Sequence, residues 1–271
     1  MKTANERTVE IAIGGRRYLI ESDDEYLSRL GDAFEPHTVR LLSTLFTPES
    51  VVLDIGANIG CTSIFFGARA RRVIAFEPSP STFEFLRRNV ARAAAGSIDV
   101  HNHALGAQAG PSQLTFAPTN RAGGFVSERT ATSAGHVTEP ISILRLDDVV
   151  RDLSVEAVDL IKIDVEGFEQ SVLEGGRETL GRFRPTVALE LNHWCLNAFH
   201  RICVPDFLDH LCATFPLLVA VEGDTYLDVH DPAERYIVMY HHINHFRYTN
   251  LVGAFSAGQL ATFMRQYRHS S

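Results

Sequence analysis

The chain is short of several things. None of its apolar runs approaches the ~20 residues that span a bilayer, and Met1 to Glu10 carries no apolar leader segment. A cytoplasmic protein without membrane contact is therefore expected. The four cysteines include no C-x-x-C pair and are too few for a disulfide framework, which again suits a reducing compartment. A basic surplus is missing too. With 25 Lys and Arg against 33 Asp and Glu, the net charge is −8. That is the wrong sign for a protein that binds by neutralising phosphates, so no nucleic-acid partner is expected. Internal repeats and low-complexity tracts are absent. What remains is 45% hydrophobic and 21% charged over 271 residues. This excludes wholesale disorder and collagen-like repetition, and allows one large domain or two small ones.

Thr8 to Ile20 alternates as a hairpin does, with Gly14-Gly15 as its turn. Asp32 to Phe46 reads as an amphipathic helix. From Val51 the pattern becomes α/β. Val51–Ile55, Arg72–Phe76, Ile98–Ala104, Ile141–Leu146, Val158–Ile163, Thr186–Leu191 and Leu217–Val221 read as strands, with Tyr236–Tyr240 as the last. Helices are expected from Cys61, from the capping-box spacing Ser81-Glu84 through Ala93, over Asp147–Leu153 and over Phe168–Leu180 with a weak point at Gly175-Gly176. Two more are expected, over Pro205–Ala213 and from Ser256 through Tyr267. Gly223-Asp224 marks an antiparallel hairpin at one edge. Leu114 to Gly135, rich in Gly, Ser, Thr and Ala, breaks the rhythm and reads as a loop or flap, at about residues 112–138 with its approaches. Alternating strands and helices imply βαβ units and a mainly parallel sheet. Residues 1–47 form a hairpin and helix packing on the core, and residues 48–271 the ligand-binding domain.

The most informative segment is Val51-Val52-Leu53-Asp54-Ile55-Gly56-Ala57-Asn58-Ile59-Gly60. A buried strand runs into a glycine turn and then a helix N-terminus, where an open α/β sheet binds ligands. Gly56 and Gly60 let the backbone turn sharply and approach a ligand. A dinucleotide loop wants G-x-G-x-x-G with pyrophosphate on the helix. Here an acid stands two residues before the first glycine and would repel pyrophosphate. It suits a ligand with a cationic end, and S-adenosylmethionine carries an ammonium and a sulfonium. Glu77, at the end of the second buried strand, follows Asp54 by 23 residues, near the offset at which an acid takes ribose hydroxyls.

A second constellation is Asp159-Leu160-Ile161-Lys162-Ile163-Asp164-Val165-Glu166-Gly167-Phe168-Glu169. Lys162 and Asp164 share a strand face. Asp164, Glu166 and Glu169 crowd one strand end, and crowded carboxylates raise each other's pKa unless a cation or donor intervenes. Lys162 or a divalent metal fits that part, while Glu169 also suits the helix dipole. Glu190 and Asn192 point one way from the next strand, and His193 is a candidate general base. Asp164, Glu190 and Asn192 are an all-oxygen set suited to Mg²⁺, but the Lys162 ammonium competes for the same oxygens, and a metal-free site is favoured.

At these residues the sequence resembles the FkbM-type family of S-adenosylmethionine-dependent methyltransferases. The matching stretches are VLDIGANIG (Val52 to Gly60), Phe76-Glu77-Pro78 with Leu86 and Asn89, Ala104-Leu105-Gly106, Leu146-Asp147-Asp148 and DLIKIDVEGFE (Asp159 to Glu169). The resemblance implies a class I methyltransferase fold, Rossmann-like, with a seven-stranded sheet in the order 3-2-1-4-5-7-6 and helices on both faces. It assigns Asp54, Gly56, Ala57, Asn58, Gly60, Glu77 and Pro78 to the cofactor, with His103 and Ala104 beside the adenine. Asp164 serves both cofactor and chemistry. Many members methylate hydroxyls of sugars or natural products, so a small-molecule acceptor is expected; the sequence leaves the oligomeric state open, a homodimer included. In the chemistry a hydroxyl attacks the sulfonium methyl in line, and Asp164, Glu190, His193 and Lys162 manage the proton.

Alternatives are an N-methyltransferase, or a non-catalytic adenosine-ligand sensor on the same fold. A dehydrogenase is disfavoured by Asp54 and the missing third glycine. Cys195, Cys203 and Cys212 interleave with His193, His200 and His210, but read better as buried cysteines and surface histidines than as a zinc site. On a last strand, at most one of His241 and His242 would face a given site. Cys61, in the first turn of a ligand-binding helix, is a poor nucleophile candidate, although that position can lower a thiol pKa.

Overall fold

The computed structural model describes residues 7–127 and 135–270. β1 (Arg7–Ile13) and β2 (Arg16–Ser22) pair around Gly14-Gly15 as expected. The helix expected over Asp32–Phe46 is shorter, Pro36–Leu42, and a one-turn helix, Tyr26–Leu30, precedes it. Pro36 sets this boundary, because proline is tolerated in the first helical turn and not inside a helix.

The next strands are β3 (Val51–Ile55), β4 (Arg72–Phe76), β5 (Ile98–His101), β6 (Ala104–Leu105), β7 (Gly110–Ala117), β8 (Asn120–Val126) and β9 (Val137–Leu144). They are followed by β10 (Leu160–Ile163), β11 (Thr186–Glu190), β12 (Leu217–Glu222), β13 (Thr225–Asp228), β14 (Asn250–Ala254) and β15 (Arg268–His269). The main sheet runs β15-β13-β12-β14-β11-β10-β3-β4-β5. The seven strands from β5 to β12 reproduce the expected order 3-2-1-4-5-7-6, with β14 antiparallel to both neighbours. The sheet has nine strands rather than seven, because the hairpin at Gly223 adds β13 and the C-terminus adds β15.

Four local expectations change. The segment expected as a flap is a β7–β8 hairpin that joins β9 and β6 in a separate four-stranded sheet; its residues 128–134 lie outside the described residues. Leu114 and Phe116 alternate into a small apolar core there, a strand signal hidden among Gly, Ser and Thr. The strand expected over Ile98–Ala104 divides at Asn102, whose side-chain amide donates to the Glu77 and Pro78 carbonyls and turns the chain toward β9. Tyr236–Tyr240 is not a strand. It lies within the helix Pro232–His245, whose first N–H groups are capped by the Asp231 carboxylate. Ser79, not Ser81, caps the helix Pro80–Ala93 by accepting from the Thr82 N–H. The weak point at Gly175-Gly176 is a true break between Glu169–Gly175 and Arg177–Phe183.

Apolar clusters cover both faces of the sheet. One merges Ile11, Ile13, Ile20, Phe34 and Leu41 of the N-terminal extension with Val52, Ile64 and Phe65 of the core. Each fully buried side chain of this size contributes about 1.5–3 kcal/mol, so the extension is firmly seated.

Candidate active site

A cleft opens at the carboxyl ends of β3, β4, β10 and β11. On its floor, Gly56 has φ 80°, and a Cβ there would lie 1.9 Å from the Asp164 carbonyl oxygen. The N–H groups of Gly56 and Ala57 both donate to the Phe76 carbonyl, tying the loop to the end of β4. The Asn58 N–H donates to Glu77 at 3.0 Å and the Ser79 N–H to its other oxygen at 2.9 Å. Burial still pushes the Glu77 carboxyl up to about 7, against the pull of these two donors. The Asn89 amide, fully buried, donates to the carbonyls of Ile59 and Glu21 and accepts from the Glu21 N–H. It therefore fixes the glycine loop to the N-terminal hairpin.

Lys162 lies between two acids. Its Nζ donates to the Gly56 carbonyl at 2.8 Å and sits 3.5 Å from Asp54 and 3.4 Å from Asp164. Burial works against its charge, but Asp164, Asp54 and Glu35 outweigh burial and hold the ammonium well above the ordinary lysine range. Carboxylate oxygens of Asp164, Glu166 and Glu190 fall within 4.8 Å of one another. Burial and then Asp164 push Glu166 up to about 7, although Cys195 and Asn192 donate to it. Burial, Asp164 and Glu166 push Glu190 well above the usual carboxylate range. Glu166 also stands at φ 51°, a backbone conformation uncommon outside glycine. Glu169 is a brace. Fully buried, it accepts from the N–H groups of Val165 and Gly167 and shapes the loop that carries Asp164 and Glu166.

The family model described as Methyltransferase FkbM domain matches residues 54–211. The chain belongs to the FkbM methyltransferase family. It is 32% identical to 31-O-demethyl-FK506 methyltransferase FkbM of Streptomyces tacrolimicus, over 47% of this chain and 60% of that protein. It is 31% identical to 2-O-methyltransferase NoeI of Sinorhizobium fredii, over 54% of this chain and 65% of that protein. The chain thus spans about three-fifths of the length of the curated relatives it matches. The solved T. thermophilus 16S rRNA N2 G1207 methyltransferase (RsmC), in complex with AdoMet and guanosine, superposes with a TM-score of 0.50 at 14% identity, over 94% of this chain and 52% of that one. That likeness is one of fold, and the fold is the class I methyltransferase fold.

Of the residues the FkbM resemblance assigns to the cofactor, Gly56, Ala57, Asn58, Glu77, Pro78, His103, Ala104 and Asp164 line the cleft. Asp54 and Gly60 do not. Asp54 is fully buried behind the loop and accepts from the Ser63 hydroxyl at 2.6 Å. Gly60, at φ 97°, starts the helix Cys61–Gly67. Lys162 and Glu190 line the cleft; His193 does not. Its chain turns away in a one-turn helix capped by Asn192, and its ring packs against His242 and Phe246. His242 itself is buried and pulled down to about 4, chiefly by burial. Cys195, Cys203 and Cys212 interleave with His193, His200 and His210 along the chain. Of these cysteines, Cys195 is buried, Cys212 half-buried and Cys203 exposed. Cys61 is buried, and burial drives its thiol far up.

Two more walls complete the cleft, and only the first was not legible as site. Tyr26, Phe34, Glu35 and Thr38 come from the extension, outside the FkbM match. Leu114, Arg121, Gly124 and Val126 come from the β7–β8 hairpin. Arg121 joins the walls by a two-point ion pair with Asp23 at 2.6 and 2.8 Å. The one available signal was opposite charge at positions 98 residues apart, which local pattern does not connect.

The three acids held near 7 set a pH dependence. Glu77, Glu166 and Glu169 lie above the ordinary 4.5, so the folded chain binds more protons than the unfolded one. Their contribution to stability is complete below about 4.5 and is lost as pH rises through about 7. The ligand-free protein should therefore show a higher thermal midpoint at about pH 6 than at pH 8. A calorimetric scan series in which the midpoint stays flat or falls toward pH 6 contradicts this.

Proposed function

We propose that the protein is an S-adenosylmethionine-dependent O-methyltransferase acting on a hydroxyl of a small molecule, a sugar or a natural-product scaffold. One observation carries this reading. The glycine loop and Glu77 share a single cleft with the carboxylates Asp164, Glu166 and Glu190. The cofactor fits the first half. Asn58 Oδ1 and His103 Nδ1 are buried there without a hydrogen-bond partner among the described residues, which leaves two polar atoms for a nucleoside to satisfy. The names of the relatives, one a 2-O-methyltransferase, support the choice of oxygen.

When bound, S-adenosylmethionine supplies a methyl group made electrophilic by positive sulfur. In this reading Glu77 takes the ribose hydroxyls, and Gly56 to Asn58 shape the floor beneath them. His103 and Ala104 flank the adenine. Asp164 orients the acceptor hydroxyl, and Glu190 receives its proton. Glu190 lines the same cleft as Asp164, with their carboxylate oxygens within 4.8 Å of each other. His193, packed away from the cleft, has no part in it. The scheme holds no metal, because the Lys162 ammonium already neutralises Asp164.

Glu77→Ala tests the cofactor half. It should lose charge-assisted hydrogen bonds, each about 1.5–3 kcal/mol, and weaken S-adenosylhomocysteine at least tenfold by titration calorimetry. Unchanged affinity rejects the assignment.

A further inference from the structure

Among the described residues the cleft is lined by five carboxylates, Glu35, Glu77, Asp164, Glu166 and Glu190, and by two cationic side chains, Lys162 and Arg121. Both cations are committed. Lys162 serves the Gly56 carbonyl, Asp54 and Asp164. Arg121 grips Asp23 at two points and donates to the Ser81 hydroxyl at 2.6 Å. Neither is left to receive an anionic guest. The carboxylates are also unevenly placed. Glu77 follows β4, in the half assigned to the nucleoside. Asp164, Glu166 and Glu190 gather past the ends of β10 and β11, and Glu35 faces the cleft from the extension. The acceptor half therefore holds four acids for the one shared ammonium of Lys162.

Resting on the methyltransferase reading, we propose that the acceptor is a hydroxyl compound bearing a protonated amine, and that Glu35 and Glu166 select for it. Carboxylates crowded in a half-enclosed cleft repel one another, and a cation among them relieves that repulsion. An acceptor with its own carboxylate would add a further like charge and is rejected by the same groups. Glu35 lies outside the FkbM match and Glu166 inside it, so the extension supplies one of the two selecting groups.

Three probes of one size isolate the charge: ethanolamine, ethylene glycol and glycolate. Their affinities for the S-adenosylhomocysteine-loaded protein are measured by ligand-observed NMR titration at neutral pH. Ethanolamine should bind at least tenfold tighter than glycolate and measurably tighter than ethylene glycol. In E35Q, where the exposed side chain leaves the fold intact, that advantage should shrink. In E35Q/E166Q, with folding checked by circular dichroism, it should fall below threefold. Equal binding of glycolate, no advantage of ethanolamine over ethylene glycol, or no binding of any probe overturns the proposal. If S-adenosylhomocysteine itself fails to bind, the methyltransferase reading falls instead, and the same ranking on the unloaded protein still decides the charge preference.

Discussion

Replacing Lys162 with methionine should destabilise the protein by about 3–5 kcal/mol, the usual cost of stripping one partner from a buried ion pair. Asp54 has no exposed surface, and its Oδ1 has no hydrogen-bond partner among the described residues. Lys162 is its charged neighbour at 3.5 Å. Without the ammonium, a buried carboxylate stays uncompensated and the Gly56 carbonyl loses its donor. Urea unfolding would measure the loss. The double variant Lys162→Met/Asp54→Asn should recover part of it, because the stranded charge goes with the second change. A loss under about 1 kcal/mol in Lys162→Met would mean that the pair does not hold these strand ends together.

Gly56→Ala should cost about 3–5 kcal/mol, at the upper end for a single substitution, and abolish measurable S-adenosylhomocysteine binding. Two penalties combine. The left-handed backbone disfavours a side chain by about 1–2 kcal/mol. The new Cβ would also meet the Asp164 carbonyl at 1.9 Å, backbone that cannot move without displacing the end of β10. Gly60→Ala is the control. It has the same unfavourable φ sign, but its Cβ would meet the tip of the Leu86 side chain at 2.8 Å, which can turn aside. Thermal midpoints and calorimetric affinities should rank Gly56→Ala well below Gly60→Ala, and equal effects would exclude the close approach of the two strand ends as the cause.

Much of this was legible because parallel strands covered on both faces read as unbroken apolar runs. Val51–Ile55, Arg72–Phe76 and Thr186–Glu190 could hardly be anything else. Glycines and acids at strand ends also announce themselves by position, so Gly56, Glu77, Asp164 and Glu190 were found one by one. What failed depended on contacts far apart in sequence. Tyr236–Tyr240 has β-forming residues, yet the Asp231-Pro232 cap placed it in a helix. His193 lies three residues past Glu190, but the Asn192 cap turned it out of the cleft. Glu35 gave no local sign that folding would bring it into one cleft with Asp164.

Asn89 has a consequence for how the molecule comes apart. Three of its hydrogen bonds run to Ile59 on one side and Glu21 on the other, all in the dry interior. Releasing the hairpin would strand the Asn89 amide and release the loop under the nucleoside in the same event, so the two behave as one cooperative unit. The Glu21 amide is then a reporter of the cofactor loop at a distance. Its hydrogen exchange should slow when ligand binds, though it touches no ligand. A fragment begun at residue 48 would lack the Glu21 backbone to which Asn89 ties the glycine loop.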